Sequence, residues 1–514
     1  MAQWGEGYVT DIEYSDGFYL AQSPHHLALS ATLNGFEPPG LEGGFAYCEL
    51  GCGRGRTSLI LAAANPDCEF HAVDFHPGHI AHAQDRSRAA ELHNIHWHER
   101  SFDDLTRPGR TSLPMFDVIT MHGVWSWIAP DLQKAIVEFL ARHLKPGGLV
   151  YVSYNAMPAW ALMVPLQRIV KELAALWPGR SDQAIDKALV MAGRLADAKV
   201  IPPALHEGLK RVMEERQHRL LSYLAHEYLN EHWTPAFHLD VARAFADAKL
   251  SFAASTELLR NFSNLALNKE QREILSEIPH SELRETLKDF CADHWFHQDV
   301  FVRGARRMSA ARRDTLLGAV CLTLIQPAPE TIEIAKPDQT KWRPDPAAYG
   351  MFIKALEQRP HTVAELLALP RLPGGHGVKP AELVGVLIGT GLAVPFRTSE
   401  PRAQLSCERL NRLMGDEEEV ARSGFATVAV SSIGAGVTMS AGDFDLFKLV
   451  KLGMAPDPEE LSSRYVQRCK ENGSHPIVDG KPLEDETAAR VAVTRDYATK
   501  IERLVPIWRM TGMI

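Results

Sequence analysis

Three alternating glycines, Gly51, Gly53 and Gly55, stand between an apolar run that ends in Glu49 and a segment with helical spacing. A second short apolar run then ends in Asp74, 19 residues after Gly55. This order predicts a strand, a tight loop, a helix and a second strand that ends in an acid. An open α/β sheet binds a nucleoside with such a unit. The spacing therefore predicts a site for a nucleoside-containing ligand.

The loop reads G-x-G-x-G, whereas the dinucleotide fingerprint reads G-x-G-x-x-G, so a pyrophosphate site fits less well. With its preceding acid, the loop resembles motif I of class I S-adenosylmethionine (SAM)-dependent methyltransferases. Glycines let a ligand approach the backbone, and the N-terminus of the following helix offers partial positive charge to a carboxylate. The resemblance implies that Glu49 and the three glycines bind SAM, with Asp74 on the ribose hydroxyls and Phe75 beside it. The alternative is a structural turn with Asp74 as a helix cap.

The segment before this loop is rich in aromatic residues, among them Tyr8, Tyr14 and Tyr19. Aromatic rings can stabilise a sulfonium cation and exclude water from it. We therefore predict these three tyrosines as cofactor contacts. The alternative is that they pack the N-terminal segment against the core.

Two adjacent acids, Asp103 and Asp104, follow the predicted third strand, Ile95–Glu99. In class I methyltransferases an acid at this position commonly binds the adenine amino group. The resemblance implies that role for Asp103, with Asp104 as its rival and Phe102 as a neighbouring cofactor contact. A pair of helix-capping acids is the alternative.

The predicted fourth strand, Phe116–Met121, is followed by His122, Trp125 and Trp127. Tryptophans buried on one helix face prefer spacings of three or four residues, and this pair has a spacing of two. We therefore predict that both tryptophans shape a channel for the acceptor of a methyl group, although two core tryptophans are the alternative. His122 is predicted as a contact of both cofactor and acceptor.

A predicted helix over residues 130–144 ends in a Lys-Pro-Gly-Gly turn, and a fifth strand over residues 149–152 follows. The glycines of that turn suit a helix C-cap. Tyr154 and Asn155 come directly after the strand, and we predict that one of them, or His122, hydrogen-bonds the incoming nucleophile.

Composition limits the class of protein. A chain of 514 residues is too long for one ordinary domain. Its net charge of −9 argues against a protein that coats nucleic acid. The seven cysteines are scattered without a C-x-x-C pair, which predicts a reducing compartment and no metal site. We expect a cytoplasmic protein, because the sequence has neither a signal-peptide pattern nor a run long enough to span a bilayer.

The predicted fold is α/β, a class I methyltransferase (Rossmann-like) sheet with additional domains. We assign residues 1–160 to the SAM-binding core, 161–232 to a helical insertion that acts as a lid or dimerises, and 233–326 to a segment that completes the sheet. A proline-rich linker over 327–346 leads to a C-terminal α+β module, 347–514, of winged-helix character. Its second helix has no arginine, so we expect it to bind a partner or substrate and not DNA.

The sequence resembles bacterial methyltransferases that carry a methyltransferase regulatory domain. Four segments carry this resemblance: residues 8–14, 49–55, 122–127 and 153–155. Residues 226–229 and 236–238 resemble the start of that domain. Characterised members of this family are protein-lysine methyltransferases acting on outer-membrane proteins, so the resemblance implies SAM as cofactor and a protein lysine as acceptor. Two alternatives stay open: a methyltransferase for a small molecule, lipid or polysaccharide, and a non-catalytic SAM-binding adaptor.

Overall fold

The computed structural model describes residues 5–12, 17–107, 113–218, 220–292, 294–337, 340–370, 377–414, 424–471, 473–478 and 481–514. Its central sheet has seven strands: β1 (Ala46–Leu50), β2 (Glu69–Asp74), β3 (Ile95–Glu99), β4 (Phe116–Met121), β5 (Leu144–Asn155), β6 (Leu250–Ser255) and β7 (Phe296–Arg303). Their order is β3-β2-β1-β4-β5-β7-β6. β7 runs antiparallel to β5 and β6, and the other pairs are parallel. The predicted class I sheet, including its completion by two late strands, is confirmed.

The strand order reverses between β1 and β4. The chain runs outward from β1 to β2 and β3, and then returns to place β4 on the other side of β1. At such a reversal the connections after the two strands diverge and leave a crevice at their carboxyl ends, which is where open α/β sheets bind ligands. The residues that end or follow β1, β2 and β4 are therefore brought to one edge of the sheet.

Nine helices accompany the described part of the sheet region and its insertion up to β6: α1 (Pro24–Leu33), α2 (Arg56–Ala64), α3 (Pro77–Ala89), α4 (Pro130–His143), α5 (Met163–Ala174), α6 (Ser181–Asp197), α7 (His206–His218), α8 (Leu221–Tyr228) and α9 (His238–Ala246). Residues of α1 and α2 pack on one face of the sheet and those of α4 and α9 on the other. In α4 the buried residues recur at helical spacing (Ala135, Ile136, Phe139, Leu140), which gives one apolar stripe toward the sheet.

The Lys-Pro-Gly-Gly turn is not a helix cap. Phe116 pairs with Leu144 and Val118 pairs with Leu149, so residues 145–148 form an irregularity inside the long strand β5. Gly147 has φ +81°, which accommodates the irregularity. The helix ends before it at His143.

The predicted helical insertion is helical. Helices α5 to α8 pack around a core of their own that includes Trp160, Leu189 and Trp233. Three short helices then lie between β6 and β7: α10 (Ser263–Ala266), α11 (Lys269–Ser276) and α12 (Ser281–Cys291).

After β7 the described residues form further helices: α13 (Ala310–Ala319), α14 (Pro346–Leu356), α15 (Val363–Leu367), α16 (Pro380–Gly389), α17 (Pro401–Met414), α18 (Ala441–Lys451), α19 (Pro458–Glu471) and α20 (Glu486–Met510). The strands of this part are short: β8 (Cys321–Leu324), β9 (Ile334–Ala335), β10 (Lys341–Trp342), β11 (His361–Thr362), β12 (Ala393–Pro395), β13 (Phe425–Val430), β14 (Ala435–Ser440), β15 (Ile477–Val478) and β16 (Lys481–Pro482). Helices α15 and α16 and strand β12 follow one another over residues 363–395, and β8 joins β11 and β12 in one sheet. The winged-helix character of this region stays a prediction.

The proline-rich stretch 327–346 is not an open linker. It contains the paired strands β9 and β10, and Ile332 and Ile334 are buried in the core of the small C-terminal sheet. Apolar side chains between the prolines therefore fix this stretch to the domain that follows.

The β13–β14 hairpin lies directly on helix α2. A Cβ on Gly436 of the hairpin would lie 3.0 Å from Cγ2 of Ile60. Asn65, which ends α2, donates to the carbonyl of Gly434 at 2.9 Å and accepts from Arg397 at 2.7 Å. The C-terminal region and the sheet consequently share one hydrophobic core.

Within the described ranges, no helix combines the length and the apolar character needed to cross a bilayer.

Candidate active site

A cavity opens at the carboxyl ends of β1, β2 and β4, where the strand order reverses. It has a volume of about 790 Å³ including its mouth. Eight of the predicted site residues line it: Tyr8, Gly51, Gly53, Asp74, Phe75, Phe102, His122 and Trp127. The sheet therefore gathers at one place residues that are up to 119 positions apart in the sequence.

The first two glycines of the loop form part of the cavity wall. Gly51 has φ +72°, and a Cβ there would lie 2.6 Å from Cγ2 of Val124. Gly53 has φ +54°, and nothing lies within 4 Å of the place where its Cβ would be. Because Gly53 also lines the cavity, the absence of a side chain leaves open space against the backbone, as close binding of a ligand requires.

Gly55 has a packing role and does not line the cavity. It precedes α2 with φ +80°, and a Cβ there would lie 2.4 Å from the ring of Trp97 on β3. The predicted cofactor contact at Gly55 therefore needs correction: glycine is required here because a tryptophan ring covers the loop.

Asp74 holds the loop and faces the cavity. Its Oδ2 accepts from the backbone N–H of Gly53 at 2.8 Å, and its Oδ1 accepts from the backbone N–H of His76 at 2.9 Å. His79 lies 3.3 Å from Oδ1. A carboxylate has about four acceptor positions, and these three contacts leave Asp74 capacity to accept about one further hydrogen bond.

Two of the predicted acidic contacts point elsewhere. Glu49 is buried beneath the loop, where it accepts from Gln22 Nε2 at 3.0 Å and from the Ser58 hydroxyl. Asp103 forms an ion pair with Arg107 and lines a neighbouring depression, while Phe102 lines the cavity itself. Glu49 therefore ties α2 to the sheet, and the adenine role predicted for Asp103 needs correction in this structure, because its carboxylate is engaged outside the cavity.

His122 is a neutral acceptor in the cavity wall. Its Nδ1 lies 2.8 Å from the hydroxyl of Tyr151, and that hydroxyl donates to Gln298 Oε1 at 3.3 Å. The amide oxygen of Gln298 can only accept, so with Tyr151 donating to it we assign the proton of His122 to Nδ1, which leaves Nε2 as the acceptor. Burial lowers the pKa of His122 to about 3. Tyr19 does not line the cavity; its ring stacks on the imidazole with 3.7 Å between centroids.

The two tryptophans have different surroundings. Residues Trp125–Trp127 form a single 3₁₀ turn, in which positions two apart point to different sides. Trp127 lines the cavity, whereas Trp125 is buried in the core and packs edge-on against Phe245 with 5.2 Å between centroids. The predicted channel role of Trp125 is therefore corrected to a core role.

Tyr154 and Asn155 are both buried at the end of β5. The Tyr154 hydroxyl donates to Asp299 Oδ2 at 2.6 Å, so it is engaged in the interior and not free for an acceptor. Asn155 donates from Nδ2 to Glu227 Oε1 at 3.1 Å. The direct contact with a nucleophile that we predicted for Tyr154 needs correction, since its ring is buried in the core on the face of the sheet that α4 and α9 cover.

Asp299 is the centre of a buried polar network. It accepts from Tyr154, from His238 Nδ1 at 2.9 Å and from His297 Nδ1 at 3.2 Å. Burial alone would lower the pKa of His297, but the charges of Asp299 and Asp289 raise it to about 10. His297 is therefore a buried cation between two carboxylates.

Replacing Asp299 by alanine is expected to destabilise the protein by about 3–5 kcal/mol, because it leaves the buried cation of His297 with one carboxylate, that of Asp289, instead of two. The measurement is the denaturation midpoint in urea followed by tryptophan fluorescence. Asp240→Ala is the control, because Asp240 is an exposed partner of Arg243 and its loss should cost less than about 1 kcal/mol. Equal midpoints for the two variants would contradict the network's role.

The N-terminal segment is held over the cavity by residues that sequence reasoning missed. The backbone N–H of Val9 donates to Asn230 Oδ1 at 2.9 Å, and the carbonyl of Gly7 accepts from the backbone N–H of Glu231 at 2.8 Å. Asn230 is completely buried. Tyr8, between these two attachments, lines the cavity. Tyr14, the remaining predicted aromatic contact, lies outside the described residues.

Asn230→Ala is expected to weaken SAM binding about tenfold, because it removes the acceptor for a buried N–H of the segment that covers the cavity. Isothermal titration calorimetry measures the change. Asn268→Ala removes a helix cap remote from the cavity and serves as the control. If the Asn230→Ala variant binds SAM as tightly as the control does, the N-terminal segment covers the cavity without the hydrogen bond between Val9 and Asn230.

Comparisons with known proteins found two family models and several relatives. The family model described as "Methyltransferase domain" matches residues 48–150, and the one described as "Predicted methyltransferase regulatory domain" matches residues 221–303. An uncharacterised protein of Synechocystis sp. is 30% identical over 487 residues, which are 94% of this chain and 94% of that protein. Bovine tRNA N(3)-cytidine methyltransferase METTL2 is 30% identical over 139 residues, 26% of this chain and 34% of that protein.

Among solved structures, PKMT2 from Rickettsia typhi in complex with AdoHcy superposes with a TM-score of 0.65 at 17% identity, over 97% of this chain and 99% of that one. At this identity the likeness shows the fold. The chain belongs to the family of methyltransferases with a methyltransferase regulatory domain. The match over residues 48–150 identifies it as a methyltransferase.

The cavity of the methyltransferase fits SAM on two observations. Gly53 leaves open space against a backbone with positive φ, and Asp74 presents a carboxylate with spare acceptor capacity at the end of β2. The first suits close approach of a ligand and the second suits a ribose diol. Both observations belong to residues of this chain and are independent of any relative.

Proposed function

We propose that this methyltransferase transfers methyl groups from SAM to lysine side chains of proteins. The observation that carries the proposal is His122, a buried neutral imidazole in the cavity wall whose Nε2 is an acceptor, with an aromatic ring stacked on it. Such a group suits an N–H donor that must arrive without its positive charge. The sequence resemblance to protein-lysine methyltransferases and the fold of PKMT2 from Rickettsia typhi support the same acceptor.

In this proposal Gly51, Gly53 and Asp74 hold the cofactor, with Phe75 and Phe102 as the apolar walls for the base. SAM supplies a methyl group that its sulfonium already activates. The protein then mainly has to align the acceptor nitrogen with that methyl group and exclude water.

Tyr8 and Trp127 provide aromatic surface in the cavity, which stabilises a nearby cation and excludes water. His122 accepts an N–H of the amine through Nε2 and so orients the nitrogen lone pair. A lysine amine is mostly protonated at neutral pH, so the site has to favour its neutral form before transfer.

The test is incubation with tritiated SAM and a cell-envelope extract, followed by amino-acid analysis of labelled protein bands. We expect the label in N-methyl-lysine. An extract whose lysines have been acetylated is the control and should take up no label. Label confined to solvent-extractable or polysaccharide material would favour the small-molecule, lipid or polysaccharide alternative, and no transfer despite SAM binding would favour the adaptor.

We also propose that the helical insertion contacts another protein, either the substrate or a second copy. Leu162, Leu176 and Val200 support this, because each is more than half exposed on the insertion. Light scattering of the purified protein tests the homodimer. The cytoplasm stays the predicted location, on the ground that all seven cysteines are free.

A further inference from the structure

Four side chains with metal-binding atoms lie together on one face of the sheet, on β2 and β3. Glu69 and His71 are two positions apart on β2, and His96 and His98 are two positions apart on β3. Side chains two positions apart on a strand point to the same face. His71 pairs with His96 across the parallel ladder, and their rings are 4.8 Å apart between centroids. The four residues therefore form one cluster that spans both strands.

Three of these side chains form a ligand set. Nε2 of His71 lies 3.0 Å from Oε1 of Glu69, and Nε2 of His96 lies 3.9 Å from the same oxygen. One ligand atom from each of the three residues lies within 4.8 Å of the others. A tetrahedral Zn²⁺ ion with bonds of about 2.0–2.1 Å holds its ligand atoms about 3.3 Å apart. The three atoms are thus close to the spacing that such an ion imposes.

The fourth side chain orients this set. Nδ1 of His71 lies 3.0 Å from Nε2 of His98, and the planes of the two rings differ by 4°. With the proton on Nδ1 of His71, this nitrogen donates to His98 and the lone pair of Nε2 is available to a cation. Metal-bound histidines almost always donate their other ring N–H to such a partner, which fixes the tautomer and the orientation of the ring. His98 therefore has the place of a positioning residue.

The set is open to solvent on one side. The side chains of Glu69 and His96 are each 51% exposed, whereas His71 is buried. An ion can therefore reach the ligand atoms from water. Burial lowers the pKa of His71, and burial together with three neighbouring basic groups lowers the pKa of His98 to about 4. These two imidazoles are neutral at pH 7, which metal binding requires.

We propose that Glu69, His71 and His96 bind a divalent transition-metal ion such as Zn²⁺, with His98 as the positioning residue. Two imidazoles and one carboxylate favour such an ion over Mg²⁺ or Ca²⁺, which prefer oxygen ligands. The sequence-based expectation of no metal site came from the cysteines, and this set contains no thiolate. The inference does not depend on the acceptor proposed above.

The location gives the ion a structural role. β3 is an edge strand of the seven-stranded sheet, and β2 joins it to β1. Glu69 begins β2, whereas Asp74 and the cavity lie at the other end of that strand, about 16 Å away for five residues of extended chain. An ion that bridges the two strands holds the edge strand to the sheet and takes no direct part in methyl transfer.

The test measures Zn²⁺ binding to the full-length protein by isothermal titration calorimetry, after dialysis against a chelator. We expect one high-affinity site, and a thermal midpoint raised by about 2 °C at a Zn²⁺ concentration about 100-fold above the dissociation constant. His96→Ala and Glu69→Gln change half-exposed side chains, so both variants should keep the metal-free midpoint. Each should weaken Zn²⁺ binding at this site at least about tenfold, since loss of a ligand costs no less than loss of its partner.

Two control variants separate this site from Zn²⁺ bound to other surface histidines. His93→Ala is the control for His96→Ala, because His93 is an exposed histidine just before β3. Glu172→Gln is the control for Glu69→Gln, because Glu172 is an exposed partner of Arg168. Losses in the controls equal to those in the site variants, or full Zn²⁺ affinity in both site variants, would show adventitious binding only and overturn the inference. Displacement of Zn²⁺ by a tenfold excess of Mg²⁺ would overturn the class of metal.

The positioning role of His98 has its own readout. His98→Ala should weaken Zn²⁺ binding about 10- to 100-fold. His98→Gln keeps an acceptor oxygen for the Nδ1–H group of His71 and should recover part of that loss. Unchanged Zn²⁺ affinity in His98→Ala, or no recovery with glutamine, would contradict this role, because a residue that only supports the fold would change the metal-free midpoint instead.

Discussion

A valine at position 53 is expected to abolish SAM binding. Gly53 has φ +54°, where a β-branched residue is strained, and its missing side chain leaves open space in the cavity. The valine would therefore distort the loop and also occupy volume that the cofactor needs. We expect a loss of affinity of at least about 100-fold in isothermal titration calorimetry, which is the sum of strain and occlusion.

Gly147→Val is the matched control for this variant. Gly147 also has a positive φ, +81°, and also has nothing within 4 Å of a Cβ, but it lies in the irregular part of β5 and does not line the cavity. The control suffers the strain without the occlusion. Equal affinities for SAM in the two variants would contradict the placement of the cofactor against Gly53.

The second large effect is expected for Asp74→Ala. In the proposed complex the carboxylate accepts from the ribose diol, and a hydrogen bond to a charged group contributes about 1.5–3 kcal/mol. The variant also removes the acceptor for the backbone N–H groups of Gly53 and His76. We expect the affinity for SAM to fall by a factor of about 10²–10⁴, measured by calorimetry.

Two companions of Asp74→Ala divide its effect. Asp74→Asn keeps one oxygen for the loop but loses the charge, so an intermediate loss is expected. Asp85→Ala removes an exposed acid of the next helix, where Asp85 pairs with Arg88, and should leave SAM binding unchanged. If Asp74→Ala binds SAM as well as Asp85→Ala does, the carboxylate has no part in holding the ribose.

The sheet was predictable because its strands carry local signals. β1, β2, β3 and β4 are short apolar runs with loops of clear composition between them. The structure ends all four within one residue of the expected end, and β3 and β4 have the expected bounds. The late strands β6 and β7 were predicted from the requirement that a class I sheet be completed. The irregularity at residues 145–148 was not predictable, because the same glycines suit a helix cap and a bulged strand.

The residues of the candidate site were predictable where the conformation of the backbone alone decides their positions. Gly51, Gly53 and Asp74 line the cavity because loop conformation and strand ends decide their positions. Trp125 and Tyr154 were misplaced because the direction of a side chain depends on packing across the sheet, against Phe245 for one and Asp299 for the other. Composition and spacing carry no record of such partners.

Contacts between distant segments left no local pattern at all. Asn230 and Glu227 bind Val9 and Asn155, which are 221 and 72 positions away in the sequence. The resemblance of residues 226–229 to the start of a regulatory domain marked the segment without indicating that it reaches Tyr8. Only the assembled fold brings these residues together.

The hairpin that lies on α2 means that the protein cannot be divided at the proline-rich stretch. A fragment ending near residue 346 would expose to water the outer side of the helix that begins directly after Gly55, including Ile60. Recombinant pieces of either half are therefore expected to aggregate. Any molecule that lifts the hairpin would also loosen the helix that presents the glycine loop to the methyl donor.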